Sequence, residues 1–133
     1  MNVNLITRGA VFAASLISLV VINPIHAQGS SAYNAGLLAS ESGDYTTAAT
    51  QWKPLAAEGD AIAQFNLALM YHRGLGVGLD ETVAVSWYHK SAENGYSKAQ
   101  EFLAAAYQEG WFGLKKDQQK ADYWNSKLEN SSF

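Results

Sequence analysis

The side chains best suited to acid–base or metal chemistry are two histidines, His72 and His89, which lie beyond the N-terminal apolar segment. They fall on different predicted helices, and neither a cysteine nor an HExxH motif accompanies them. A protein zinc site normally needs three or four protein ligands. We therefore predict no metal, no cofactor and no catalytic residue, and we expect both histidines to face solvent or to cap helix ends.

The glycine-rich segment 73–80, RGLGVGLD, is the next candidate, because glycine loops can cradle phosphate groups. A phosphate loop follows a strand and leads into a lysine or a helix N-terminus. Here a predicted helix precedes the glycines, and Leu79 and Asp80 follow them, so the acidic side chain would repel a phosphate. We interpret the segment as a turn between two helices.

Composition narrows the class of protein. The chain has 133 residues, 48% hydrophobic and 16% charged, with four tryptophans, no cysteine and a net charge of -3. These values suit one folded domain and are too aromatic for a disordered chain. The acidic balance argues against a nucleic-acid partner, and the absence of cysteine excludes a disulfide framework and a cysteine nucleophile.

Residues 1–27 are predicted to be a secretory signal peptide. Arg8 supplies the positive charge, 9–22 form an uncharged apolar run, and Pro24 and Ala27 mark the break and the cleavage position. The run is short for a helix that crosses a bilayer, which needs about 20 apolar residues. We therefore predict cleavage after Ala27, a periplasmic or secreted product, and no membrane insertion after cleavage.

The remaining residues, 28–133, contain an internal repeat. Five residues recur after 36 positions: Gly59 as Gly95, Gln64 as Gln100, Leu67 as Leu103, Tyr71 as Tyr107 and Gly74 as Gly110. Four more recur after 37: Asp80 as Asp117, Ala84 as Ala121, Trp87 as Trp124 and Lys90 as Lys127. A weaker first copy precedes them, which predicts three units at about 31–60, 61–96 and 97–130.

Each unit is predicted to form two helices. Asp44, Asp80 and Asp117 are expected to cap the second helix of each unit, and Gly74 to close the helix before it in a left-handed conformation. Pro54 lies inside a predicted helix and should bend or shorten it.

The predicted core consists of small residues interlocked with aromatic rings on the inner stripes of these helices. In the second unit it comprises Ala63, Leu67, Met70, Tyr71, Ala84, Trp87, Tyr88, Ser91 and Ala92. In the third it comprises Ala99, Leu103, Ala106, Tyr107, Ala121, Trp124 and Leu128, and Trp52 belongs to the first. Three stacked helix pairs can bury the apolar face that a single pair leaves exposed. We therefore predict an all-α fold, a short right-handed α-solenoid of about three stacked helix pairs.

These units resemble the Sel-1-like repeat, a relative of the tetratricopeptide repeat. Segment 60–95 matches the family pattern nearly throughout, 97–130 less closely, and 43–60 resembles an entry half-repeat. Trp111-Phe112-Gly113 replaces the usual short glycine turn. The resemblance implies an all-helical superhelix and a role as an adaptor surface for another protein or peptide, often in bacterial export or envelope settings.

A hydrolase is the alternative, because some cysteine-rich proteins of the resembled family have been called β-lactamases. That chemistry needs Ser-x-x-Lys, in which the amine activates the hydroxyl. The nearest match is segment 50–53, Thr-Gln-Trp-Lys, and the family's cysteines are absent. A β-lactam or peptidoglycan hydrolase therefore stays the second hypothesis, behind a non-enzymatic interaction protein such as an immunity protein or an envelope adaptor.

In superhelices of this type the first helix of each pair lines the inner curve, so partner-binding residues are expected there, away from the buried stripe. Phe65 and Leu69 would be the apolar anchors, or alternatively would pack on neighbouring repeats. The candidates on the two helices are Phe65, Asn66, Leu69, His72 and Arg73, followed by Glu101, Phe102, Ala105, Gln108 and Glu109. Trp111 and Phe112 lie in the loop that gained one residue, and are expected either to be exposed as a binding anchor or to plug the open end of the last repeat.

Overall fold

The computed structural model describes the backbone of residues 24–130 and the side chains of residues 31–130. Within this range the chain forms six α helices and no β strand, which confirms the predicted all-α class. They are α1 (Pro24–Glu41), α2 (Tyr45–Ala57), α3 (Ala61–Arg73), α4 (Glu81–Glu93), α5 (Ser97–Glu109) and α6 (Gln118–Asn130). None of the described helices has both the length and the apolar character needed to cross a bilayer.

The predicted signal peptide lies mostly outside the described residues, and its cleavage stays a prediction. The contacts of the chain separate residues 1–30 from a compact unit that begins at Ser31. The helix pairs and the candidate site discussed below belong to this second unit.

Aspartate side chains begin four of the helices. The carboxylates of Asp44, Asp80 and Asp117 accept the backbone N–H three residues on, at 3.0, 2.9 and 3.1 Å, which confirms the predicted caps. Asp60 caps α3 in the same way, at 2.8 Å. Each bond satisfies one of the free N–H groups of a first helical turn, which is worth about 1 kcal/mol.

The ends of α3 and α5 also follow the repeat. Gly74 and Gly110 adopt left-handed conformations with φ of 65° and 73°, and each donates its N–H to the carbonyl four residues earlier. Of the two effects expected of Pro54, shortening does not occur, because α2 spans 13 residues, as α3 does. The carbonyl of Pro54 accepts the N–H of Glu58 at 3.1 Å, which carries the helical turn past the proline.

Extensive contacts join each helix from α2 onward to the next one along the chain, within units and between them. This neighbour-to-neighbour pattern is typical of stacked helix repeats. One buried cluster is built from α3 to α6, and a second from α2 and α3. Most of the predicted core is buried, but Tyr71, Trp87 and Leu128 are half-buried.

Candidate functional site

Aromatic rings from α3, α4, α5 and the neighbouring loops come together beside the first helices of the second and third units. We call this set the aromatic face, and it comprises Phe65, His72, Tyr88, Tyr96, Phe102 and Phe112. Aromatic rings with half-buried edges supply much of the contact area in protein interfaces.

The centre of the aromatic face is a stack of three rings. Phe102 on α5 stacks on Tyr88 of α4, with 3.8 Å between ring centroids and 24° between planes. Phe112 also stacks on Phe102, with 5.3 Å between ring centroids and 25° between planes. The stack therefore joins the second helix of one unit to the first helix and the loop of the next.

Two more rings meet the aromatic face edge-on. Phe65 of α3 packs against Tyr88 at 5.5 Å and against Tyr96 at 5.1 Å. His72, two turns further along α3, lies 4.2 Å from the ring of Phe112. Edge-to-face contacts of this kind add about 0.5–1.5 kcal/mol each beyond the burial of area.

A hydrogen bond fixes the orientation of His72. Its Nδ1 lies 3.2 Å from the hydroxyl of Tyr88, a side chain that is only 1% exposed. Burial raises the pKa of Tyr88 to about 12, although the charge of Arg73 opposes the shift. The phenol therefore keeps its proton, and its hydroxyl can donate the hydrogen bond to Nδ1 of His72.

The expectation that both histidines face solvent or cap helices is wrong. His72 and His89 are both half-buried, and Nε2 of His89 lies 3.0 Å from the hydroxyl of Tyr107. Burial lowers the pKa of His89, which the charge of Glu93 partly offsets. Each histidine links one helix to the next, from α3 to α4 and from α4 to α5, because the neighbouring tyrosine can reach it.

Of the two alternatives for Phe65 and Leu69, the contacts of both residues favour packing on the neighbouring structure. Both are half-buried and pack against the larger core cluster. Phe65 is covered by Tyr88 of its own helix pair and by Tyr96 at the end of the unit, and Phe102 of the next unit packs against the same cluster.

In the loop after α5, one aromatic ring is exposed and the other is folded back onto the protein. Trp111 is 46% exposed and is placed as a free anchor would be. Phe112 is half-buried and folds back over His72 and Phe102, toward α3. Its contacts are therefore on the aromatic face.

A polar rim borders the aromatic face. Arg73, Glu101 and Gln108 are exposed, and Asn66 is half-buried. Neither Arg73 nor Glu101 forms an ion pair within the described part of the chain. Across residues 31–130, no three histidine, aspartate or glutamate side chains are grouped so that they could hold a metal ion.

Comparison of α3 with α5, 36 positions apart, separates the buried positions from the rest. Five positions are identical, namely Ala63/Ala99, Gln64/Gln100, Leu67/Leu103, Ala68/Ala104 and Tyr71/Tyr107, and all are buried or half-buried. Among the eight positions that differ, only Met70/Ala106 is fully buried in both helices. The two repeats thus keep one interior and present two different surfaces.

Tyr96 is the residue of the aromatic face that the sequence analysis missed. It occupies the position that Asp60 holds one repeat earlier, and α5 begins there without a side-chain cap. The signal in the sequence was a tyrosine at a position where a capping residue is expected. Aspartate can accept an N–H of the first helical turn there, whereas Tyr96 makes no such bond.

The family model for the Sel1 repeat matches this sequence twice, at residues 61–96 and 97–124. Residues 61–124 are therefore similar to two Sel1 repeats. The matches cover α3 and α4 in the first repeat, and α5 with the first half of α6 in the second.

Solved structures with Sel1-like repeats share this architecture. A Sel1 repeat protein from Oxalobacter formigenes is 29% identical, with a TM-score of 0.70 over 78% of this chain and 82% of its own. A protective antigen present in uropathogenic Escherichia coli strains, which displays an SLR fold, is 33% identical with a TM-score of 0.67 over 79% of this chain. This chain spans only 23% of that antigen.

The likeness confirms the short α-solenoid. No curated protein sequence matches the chain. Sel1 repeats generally bind other proteins, and scaffolds built from them are typically non-catalytic.

Proposed function

We propose that this chain is an exported, non-enzymatic scaffold that binds another protein or a peptide through the aromatic face and its polar rim. In the periplasm or outside the cell it acts as an immunity protein that blocks a toxic effector, or as an adaptor between envelope proteins. Blocking and bridging both need a matching surface and no reactive group.

The observation that carries this proposal is the contrast between identical interior and divergent surface in α3 and α5. At matched positions Phe65 corresponds to Glu101 and His72 to Gln108, so the third unit exposes a charge and an amide where the second holds half-buried rings. Half-buried rings therefore lie beside an exposed amide and unpaired charges, which is the composition of a protein-binding surface.

Trp111 adds an anchor to this surface. It is 46% exposed and its ring lies 6.3 Å from that of Phe112, nearly perpendicular to it. Exposed tryptophans with rigid neighbours are frequent hot spots, because a large ring is buried on binding at little cost in side-chain entropy. Arg73 and Glu101 at the rim can then set the orientation of the partner.

Site-specific photo-crosslinking in the native host tests the proposal. A photoreactive amino acid is placed at Gln108 or Glu101 on the rim, and at Ser86 or Asp122, which are exposed on the second helices α4 and α6. We expect one discrete adduct from the two rim positions and none from the two control positions. Equal adducts from both pairs, or none from the rim, would contradict the proposal.

Affinity for the crosslinked protein then tests the rim directly. The double variant Arg73→Glu with Glu101→Lys changes two exposed charges, so the thermal midpoint should stay where it is while affinity falls by about tenfold or more. Glu81→Lys with Lys90→Glu, two exposed changes on α4, is the matched control and should leave affinity unchanged.

Export requires its own measurement. The proposal expects the periplasmic or secreted protein to begin at Gln28, which intact mass or N-terminal sequencing would establish. A protein that stays in the cytoplasm with its first 27 residues attached would exclude the exported roles and leave the binding surface as a separate question.

A further inference from the structure

The loop between α5 and α6 contains an aromatic residue in a backbone conformation that favours glycine. Phe112 has φ of 56°, in the left-handed region that residues with a side chain avoid. The register set by Gly74 and Gly110 aligns Phe112 with Gly76, which has φ of 67°. The two loops therefore share a left-handed residue at this point, and only the third unit puts a side chain on it.

The neighbouring structure explains why the second unit needs glycine here. A Cβ on Gly76 would run into the backbone of Tyr45 and Thr46 at the start of α2. At Phe112 the ring instead extends over the side of the molecule where α3 and α5 lie, and reaches residues on both.

Those two contacts join successive units. The ring of Phe112 lies 4.2 Å from His72 on α3 and 5.3 Å from Phe102 on α5. His72 is itself held by Tyr88, and Phe102 is stacked on the same tyrosine. Phe112 thus closes a set of rings in which each member is fixed by at least two others.

We propose that Phe112 is the positioning residue of the aromatic face. It ties the first helices of the two repeats together, and it holds the adjacent Trp111 outward as a preordered anchor. Unfavourable backbone conformations persist where the surrounding structure enforces them, and they concentrate at functional sites. The purpose of this arrangement rests on the proposed function, but the arrangement itself can be tested without a partner.

The variant Phe112→Gly separates the ring from the backbone, because glycine adopts the same left-handed φ freely. Acrylamide quenching of tryptophan fluorescence is the readout, and the Trp111→Phe protein supplies the signal to subtract. Since Trp111 is 46% exposed, we expect its quenching constant to rise about twofold as the indole loses its support. Phe112→Tyr keeps the ring and should restore the original constant.

Two controls separate positioning from general destabilisation. Gly113→Ala adds a Cβ to another left-handed residue of the same loop, with φ of 72° and no atom within 4 Å of the added carbon. This variant strains the backbone without removing a ring, so the quenching of Trp111 should stay unchanged. The thermal midpoint of Phe112→Gly should stay close to that of the parent. Glycine removes the strain of a side chain at a left-handed φ, and this gain offsets the lost ring contacts. A fall as large as that of Leu103→Ala, a fully buried truncation, would show a core plug and overturn the proposal.

An unchanged quenching constant in Phe112→Gly would also overturn it. If the crosslinking experiment supplies a partner, Phe112→Gly should weaken its binding at an unchanged thermal midpoint. Stronger binding would show that the ring occupies the partner's place, and would overturn the positioning role. If no partner is found while the quenching results hold, the proposed function fails and the role of Phe112 stands.

Discussion

Gln64 and Gln100 hold equivalent positions in the two repeats and donate the same hydrogen bond, yet only Gln64 is satisfied at both ends. Each Nε2 donates to a carbonyl of the preceding second helix, Ala56 O at 2.9 Å and Ala92 O at 3.0 Å. Oε1 of Gln64 accepts a bond from Asn94 at 2.9 Å. Oε1 of Gln100 is buried without a partner in the described part of the chain.

We therefore expect Gln64→Leu to destabilise the protein more than Gln100→Leu. In both variants the carbonyl keeps its bond from a backbone N–H, that of Gly59 or Gly95, and loses the bond from the glutamine, but only Gln64→Leu also loses the bond from Asn94. The difference in unfolding free energy should be about 1 kcal/mol, measured by urea denaturation. Equal losses, or a larger loss for Gln100→Leu, would mean that the orphan oxygen has a partner in solution.

A second prediction concerns Gly36 on α1, which is buried against the indole of Trp52. A Cβ on Gly36 would collide with the ring atoms around Nε1, the group that donates to the carbonyl of Tyr33 at 3.2 Å. Gly36→Ala should cost about 1–3 kcal/mol, since the crowded ring must shift or the backbone must move.

Gly78→Ala is the matched control for this change. Gly78 has no close neighbour and no left-handed φ, so alanine there should be neutral or slightly stabilising. The two thermal midpoints, compared with that of the parent, decide the question. A harmless Gly36→Ala would show that α1 does not press on Trp52.

The repeat explains how much of this structure the sequence could predict. Residues that recur, such as Leu67 and Leu103, indicate one interior used twice, so the helix bounds, the caps and most of the core follow from one chain. Surface contacts between units do not recur, because each depends on a different pair of side chains. Tyr96 in place of Asp60, and Phe112 in place of Gly76, build the aromatic face from exceptions to the pattern.

The third prediction is a pH dependence of stability through His89. Burial lowers its pKa in the folded protein, with the charge of Lys120 acting in the same direction and that of Glu93 against it. The unfolded chain therefore binds the proton first, at a pKa near 6.5. The contribution of neutral His89 to the unfolding free energy is fully present above that pH. It is lost as the pH falls through the lowered pKa of the folded protein.

The variant His89→Gln isolates this contribution. Its unfolding free energy should fall less between pH 7.5 and pH 5 than that of the parent, because glutamine does not titrate. Chemical denaturation at several pH values measures the two slopes. Asp44, whose pKa is lowered by its bonds to Thr47, affects only the more acidic range. Parallel slopes across pH 7.5 to 5 would show that His89 titrates normally in the folded state.

The fourth prediction compares matched positions of the two repeats. Phe65 and Glu101 are equivalent, but Phe65 packs between Tyr88 and Tyr96 while Glu101 is exposed. Phe65→Ser should therefore lower the unfolding free energy by about 1–3 kcal/mol, less than a fully buried phenylalanine would cost. Glu101→Ser should change it by less than about 0.5 kcal/mol, as exposed substitutions do.

This pair also decides how the aromatic face must be studied. If Phe65→Ser destabilises as expected, its effect on a partner could come through loss of fold, and only rim variants such as those at Glu101 report on binding alone. Calorimetric midpoints of the two variants answer this before any binding assay. A Phe65→Ser protein as stable as the parent would mean that the ring contributes nothing to folding. Phe65 would then be a candidate for direct contact with the partner.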